Sequence, residues 1–378
     1  MTQAAPFKIA IPQEKLERIA RRLADYEWPP EPQGAQWAQG MHTATLRGLV
    51  ERWRESFDWR AQEAALNKHP QFVAEAGGIK LHFVHRRASG AAGEKLPVLL
   101  MHGWPSSFME YLETAEALQA VGHDVVAVSL PGFGFSGMPQ TFTGPRAVAA
   151  QVHALMTQVL GYERYAAHGS DWGSLIAGWL GFDFPGACAG VHMTMLSPRF
   201  IAGAATEPAE QQWLAGFRDR FADDGAYFQL QTSRPVTIGF ALGDTPVGLL
   251  AWMTEKFAAW GDPAEGDRSS LFLQDAQADR LIRNAMLYLV TGTVASSTWL
   301  YRGITLEGPP GYPDKKRVET PVAMAATRDP VFVPPPRSLV EKAYNVVRWT
   351  EYPRGGHFPA QDVPGLLADD ITAFATGI

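Results

Sequence analysis

The chain has 378 residues, 46% of them hydrophobic and 19% charged, with a formal net charge of -6 and an isoelectric point of about 5.9. That balance supplies ample material for a core, in about two domains or one large core with an inserted subdomain, and it argues against nucleic acid or an anionic membrane surface as the main partner. The single cysteine, Cys188, excludes an intrachain disulfide and a cysteine-based zinc site, and residues 1–8 lack an apolar signal core. With no apolar run long enough to span a bilayer, a soluble, cytoplasmic protein without a membrane anchor is expected; a homo-oligomer stays open.

Residues 1–75 read as helical and polar-rich. Leu16, Ile19, Ala20 and Leu23 recur at helical spacing after Pro12, and Leu46, Leu49, Val50 and Trp53 do so in a second helix. No acid-base cluster falls here, so this segment reads as a structural wrap around something larger. From Gly78 strands alternate with helices. Residues 79–84 alternate as a half-exposed strand, and 96–101, 125–130, 164–167 and 191–196 read as further strands. Helices are expected over 108–120, 146–160 and 175–183. Such alternation predicts an α/β fold, a mostly parallel sheet with helices on its faces. Between Ser197 and Leu306 the rhythm stops, and 213–221, 247–260 and 281–298 have helical spacing, as an inserted helical cap would. Strands return at 322–327 and 346–352, followed by a last helix over 363–374. The expected units are therefore 1–75, a core in two parts (76–198 and 308–378), and a cap over 199–307.

The chemistry centres on Gly169-Ser170-Asp171-Trp172-Gly173-Ser174, which runs from a short strand through a sharp turn into a helix. Gly-x-Asp-x-Gly is the frame of the nucleophile elbow of α/β-hydrolases, with aspartate in the usual place of serine. Ser170 and Ser174 are out of frame, which leaves a serine esterase without a nucleophile. Taken alone, the segment reads better as an aspartate capping a helix; the rest of the machinery decides for the elbow. The triad order of this fold is nucleophile, acid, histidine. Asp171 is followed by Asp329, just beyond the strand at 322–327, and by His357 on the glycine-rich Arg354-Gly355-Gly356-His357-Phe358 loop. His168 and His192, in or beside core strands, read as structural, and His102 as a brace for its loop. His102-Gly103-Trp104-Pro105 occupies the strand end that supplies one oxyanion-hole amide, here that of Trp104; the amide of Trp172, next to the nucleophile, supplies the other.

An aspartate, with a reference pKa of about 3.9, is ionised at neutral pH and needs no base to attack. Its attack on a saturated carbon gives an ester that water can cleave, whereas a serine would give a stable ether. The electrophile is thus an sp³ carbon, as in an epoxide or an alkyl halide. A halide leaves without a proton; an epoxide oxygen wants an acid, for which a phenol is suited. The cap offers Tyr227 and Tyr301, with Tyr288 as a competitor inside a strongly apolar helix. Gly132-Phe133-Gly134-Phe135-Ser136-Gly137 matches G-x-G-x-x-G, yet no acid follows before Glu163 and no helix opens on it, so nucleotide binding is rejected and the loop is expected at the pocket entrance. No cofactor or metal is expected.

These residues bring the chain to a family. It resembles the microsomal-type epoxide hydrolases, including the juvenile hormone epoxide hydrolases, over nearly its whole length. The likeness is carried by Tyr26-Glu27-Trp28-Pro29, Phe57-Asp58-Trp59-Arg60, His102-Gly103-Trp104-Pro105-Ser106, the elbow, Thr245-Pro246-Val247-Gly248-Leu249, Thr291-Gly292-Thr293 and Pro353-Arg354-Gly355-Gly356-His357-Phe358. The resemblance implies Asp171 as nucleophile, His357 as base, and Tyr227 with Tyr301 as ring-opening acids, acting on a small apolar epoxide and water. Two departures stand out. The stretch that would carry the membrane anchor of many eukaryotic members has no counterpart in these residues, so a soluble form is expected, and where many members carry a glutamate as the acid, this chain has Thr327-Arg328-Asp329-Pro330-Val331. A haloalkane dehalogenase, or a silent binding protein of the same fold, is the alternative.

Overall fold

Alternation of apolar strands with helices builds one mixed sheet of nine strands in the computed structural model, which describes residues 3–378 except 33, 35, 36, 89–94, 263–268, 270, 271 and 273. In chain order the strands are β1 (Ala5–Phe7), β2 (Gln71–Ala76), β3 (Ile79–Arg86), β4 (Val98–Met101), β5 (Val125–Val128), β6 (Tyr165–Gly169), β7 (Cys188–Met193), β8 (Val318–Ala326) and β9 (Tyr344–Glu351). They lie side by side as β1-β2-β3-β5-β4-β6-β7-β8-β9; β1, β2, β3 and β5 pair antiparallel, and from β5 onward every pair is parallel. The central strands β4 to β7 are buried along their whole length, as parallel strands covered by helices on both faces must be.

Three expectations needed correction. The segment 1–75 is not only helical: β1 and β2 open and close it, and β2 pairs residue by residue with β3, so the segment is stitched into the sheet edge. Its three helices (Gln13–Ala24, Thr43–Glu55 and Trp59–Leu66) carry Arg22 and Arg52 to Asp244, Asp275 and Asp279 beyond β7, which ties the amino-terminal segment to the cap. The helix expected over 281–298 is broken. Gly292, at φ 73°, ends Asp275–Thr291 in a left-handed turn, and two shorter helices follow, Val294–Ser297 and Trp299–Leu306. The helix expected over 146–160 is α only over Pro145–Ala154 and widens into a π turn over Leu155–Val159.

Between β7 and β8 the described residues form helices and no strand. The longest cap helices are Pro208–Asp224, Pro246–Trp260 and Asp275–Thr291, joined by Ala226–Ser233 and Pro235–Asp244. Among the described residues no single helix is long and apolar enough to cross a membrane.

Candidate active site

The site begins with the turn between β6 and the helix Trp172–Asp183. Asp171 sits at its apex with φ 48° and ψ -122°, a left-handed conformation that costs a non-glycine residue of order 1–3 kcal/mol and that the surroundings must hold. Two glycines make the turn sterically possible. A methyl group on Gly169 would fall 2.0 Å from the carbonyl carbon of Gly173, and one on Gly173 would fall 1.8 Å from the Met101 carbonyl oxygen of β4. The parallel pairing of β4 with β6 brings the loop after β4 alongside, and the Trp104 amide donates to Asp171 Oδ1 at 2.8 Å. Trp172 is the first residue of the helix, so its amide belongs to those that lack an intrahelical acceptor. Ser174 Oγ donates to the Gly169 carbonyl at 2.6 Å and Ser170 Oγ to Glu110 at 3.1 Å, so both hydroxyls are spent on structure.

His357 enters from the loop after β9. Its amide donates to the Trp260 carbonyl at 2.9 Å, and the amides of Gly355 and Gly356 donate to the carboxylates of Asp262 and Asp362. The ring is buried, with Nδ1 2.5 Å from Asp329 Oδ2 and Nε2 3.5 Å from Asp171 Oδ2. Asp329, in the loop after β8, spends its other oxygen on the amides of Val331 and Phe332 at 2.9 and 2.8 Å, which fixes its carboxylate in place. Burial disfavours charge on His357, but the two carboxylates outweigh it, Asp329 most, and raise the imidazole pKa to about 10. The structure therefore brings together Asp171, Asp329 and His357, which are far apart in the chain.

Tyr227 and Tyr301 face this cluster from the cap, 4% and 1% exposed. Tyr227 stacks on Trp104 with ring centroids 5.5 Å apart; Tyr301 packs edge-on against Trp172 at 4.8 Å and against Tyr227 at 6.0 Å. Burial, aided by negative charge at Asp171, pushes both phenols well above the usual tyrosine range, so they stay protonated donors. Tyr288 points elsewhere: its hydroxyl donates to the Ser106 carbonyl at 2.5 Å. A cavity of about 300 Å³ reaches Asp171, Trp172, Tyr227 and Tyr301 and is walled largely by aromatic and aliphatic side chains.

The other histidines have structural partners. His102 accepts from the Leu130 amide through Nε2, with its Nδ1 3.0 Å from the Gly103 carbonyl, and so braces its loop. His168 and His192 meet at 2.9 Å inside the sheet, and His192 reaches Asp370 at 3.2 Å. The 132–137 loop does not line the cavity, contrary to expectation; Phe133 is buried against His102 and Tyr288, and the Gly132 carbonyl accepts from Ser296. Among the described residues no group of three or more His, Cys, Asp or Glu side chains is gathered to hold a metal.

Sequence reasoning passed over Glu110. It is 7% exposed, accepts from Ser170 next to Asp171, and burial raises its pKa to about 7. Its only signal in the sequence is an acid eight residues after His102, inside an otherwise apolar stretch.

A strained aspartate at the apex of the turn between a parallel strand and a helix, backed by a His–Asp pair on the loops after β8 and β9, fits an α/β hydrolase, and the α/β hydrolase fold model matches residues 97–359. The epoxide hydrolase N terminus model matches residues 4–111, the stretch that carries β1, β2 and the three amino-terminal helices. A Stigmatella aurantiaca protein, provisionally named an epoxide hydrolase, is 36% identical over 97% of this chain and 83% of its own. Juvenile hormone epoxide hydrolase 2 of Ctenocephalides felis is 31% identical over 98% of this chain and 85% of its own. The solved Aspergillus niger epoxide hydrolase is 28% identical and superposes with a TM-score of 0.85, covering 99% of this chain and 96% of that one. The chain belongs to the epoxide hydrolase family, and it is a hydrolase of that kind.

Proposed function

We propose that this enzyme converts small apolar epoxides to vicinal diols through a covalent ester on Asp171. Asp171 Oδ2 attacks a ring carbon and the carbon–oxygen bond of the ring breaks. The departing oxygen takes a proton from the Tyr227–Tyr301 pair. The tyrosinate regains that proton from the His357 imidazolium, which leaves the imidazole neutral. His357, oriented by Asp329, then removes a proton from water as the water adds to the ester carbonyl, whose oxygen, Oδ1, lies at the Trp104 and Trp172 amides. Collapse expels the diol oxygen, which takes the proton back from His357; the Asp171 acid so formed returns its own proton to the imidazole. The sum is epoxide plus water to diol, with every group restored.

The observation that carries this reading is the pairing, on one nucleophile, of an oxyanion amide 2.8 Å from Oδ1 and a buried, protonated imidazole 3.5 Å from Oδ2. Two buried phenols face the same carboxylate, which suits an oxygen leaving group better than a halide. The organisation that accompanies it is a core of residues 76–198 and 308–378, a cap over 199–307 and an amino-terminal segment over 1–75. A single turnover in ¹⁸O-labelled water tests the route. Label is expected in the Asp171 carboxylate and absent from the first diol released; labelled diol in that first turnover would rule out the ester.

A further inference from the structure

The proposed chemistry uses only the inner end of the cavity. Burial grades along it: Asp171, Trp172, Tyr227 and Tyr301 are buried, whereas Thr305 and Pro310 are exposed and mark the mouth. Arg199, half-buried, belongs to the wall and is the one cation among the residues lining it. Its Nη2 donates to the Gly308 carbonyl, which anchors the guanidinium at the loop after the helix Trp299–Leu306. Among the described residues it forms no ion pair. Glu307, the acid whose charge it feels, is occupied: its two carboxylate oxygens accept from the amides of Arg146 and Ala147 at 3.0 Å each, where they cap the helix Pro145–Ala154. Burial lowers the Arg199 pKa, the mark of a charge held partly out of water without full compensation.

A guanidinium in such a place has spare donors in a planar fork, the shape that matches a carboxylate with two parallel hydrogen bonds. Leu175, Phe217, Phe228 and Ile304 offer a polar group nothing; of the polar residues, Ser197 has a hydroxyl that already accepts from the Arg199 amide, and Thr305 is exposed at the mouth. One apolar run therefore joins a buried carboxylate nucleophile at one end to an unpaired cation at the other. Placed anywhere nearer Asp171, an anionic group would repel it; at the mouth it meets Arg199 instead.

We propose that the cavity takes epoxides that carry a carboxylate at the end remote from the ring, with Arg199 as its partner and the apolar wall covering the chain between. This rests on the epoxide reading given above and revises its substrate from a wholly apolar epoxide to one that is apolar along its chain and anionic at the far end. It makes Arg199 a specificity residue that acts on binding and leaves the ring-opening groups untouched.

The test compares matched terminal epoxides, 7,8-epoxyoctanoate and 10,11-epoxyundecanoate, with their neutral methyl amides. Expected is a KM for at least one carboxylate about tenfold or more below that of its amide, the size of a charge-assisted hydrogen-bonded contact. This preference should collapse towards unity in Arg199→Met, invert in Arg199→Glu, return in part in Arg199→Lys, and weaken with added salt in the native enzyme. Amide turnover by each variant reports that it is folded. Turnover of the amides without any carboxylate preference, or a preference that survives Arg199→Met, overturns this proposal and leaves the epoxide reading standing. Turnover of neither compound by the native enzyme overturns both.

Discussion

Asp171→Asn should convert His357 from a group charged at neutral pH into a base poised near it. The imidazole lies between two carboxylates, 2.5 Å from Asp329 and 3.5 Å from Asp171, and its pKa stands at about 10 although burial alone would lower it. Removing the charge at 3.5 Å removes about 5 kcal/mol of attraction at an effective dielectric of about 20, equal to about three and a half pKa units. The imidazole would then titrate between about 6 and about 7. In the proposed route esterification would neutralise Asp171 in the same way, so the variant would stand for the intermediate. A base strong enough to take a proton from water and weak enough to be neutral would exist only once there is an ester to hydrolyse. Two-bond ¹H–¹⁵N correlation spectra of the histidine rings, recorded across a pH titration, read this directly. The His357 signal is assigned by its loss in His357→Gln. A neutral His357 in the native enzyme at neutral pH, or a midpoint that moves by less than about half a unit in Asp171→Asn, would refute the reasoning.

Other expectations follow from the same geometry. Replacing both Tyr227 and Tyr301 by phenylalanine should slow ester formation, measured in single turnover, by about 10² to 10⁴, the usual worth of a general acid; a loss below tenfold would remove them as proton donors. Gly173→Ala puts a methyl group 1.8 Å from the Met101 carbonyl oxygen and should cost at least about 3 kcal/mol in denaturant unfolding, because backbone rather than a flexible side chain must yield. For Glu110 the folded pKa of about 7 lies above the reference 4.5, so the folded state holds the proton more tightly than the unfolded chain. No penalty exists below 4.5; it grows as pH rises and is complete above 7, reaching about 3 kcal/mol. Glu110→Gln should flatten the fall in stability across that window, and an unchanged slope would show that Glu110 is not the group responsible.

Much of the site was legible because its logic is local. An elbow needs glycine on both sides of its apex, a helix on one flank and a strand on the other, and all of that is written within ten residues. The order of Asp171, Asp329 and His357 and the placement of the Trp104 and Trp172 amides beside Asp171 also follow from which strand each loop ends. Short strands were harder to read. β1 is the three residues Ala-Pro-Phe and β2 has a mixed burial pattern, and both become strands only because β2 pairs with β3 at the sheet edge. The break at Gly292 hides inside continuous helical periodicity, since apolar spacing continues across it.

What tertiary structure alone decided is the company each group keeps. Asp329 and His357 are 28 residues apart, and only the neighbouring loops after β8 and β9 bring their side chains to 2.5 Å. Tyr227 and Trp104 stack because the cap folds back over the sheet. Glu110 and Arg199 carry no motif at all. The first matters through its burial against Ser170, the second through an apolar wall assembled from separate helices and an acid already occupied elsewhere. Sequence patterns record what a residue asks of its nearest neighbours along the chain. Charge, desolvation and reach depend on neighbours in space, and those exist only after the sheet and cap have packed.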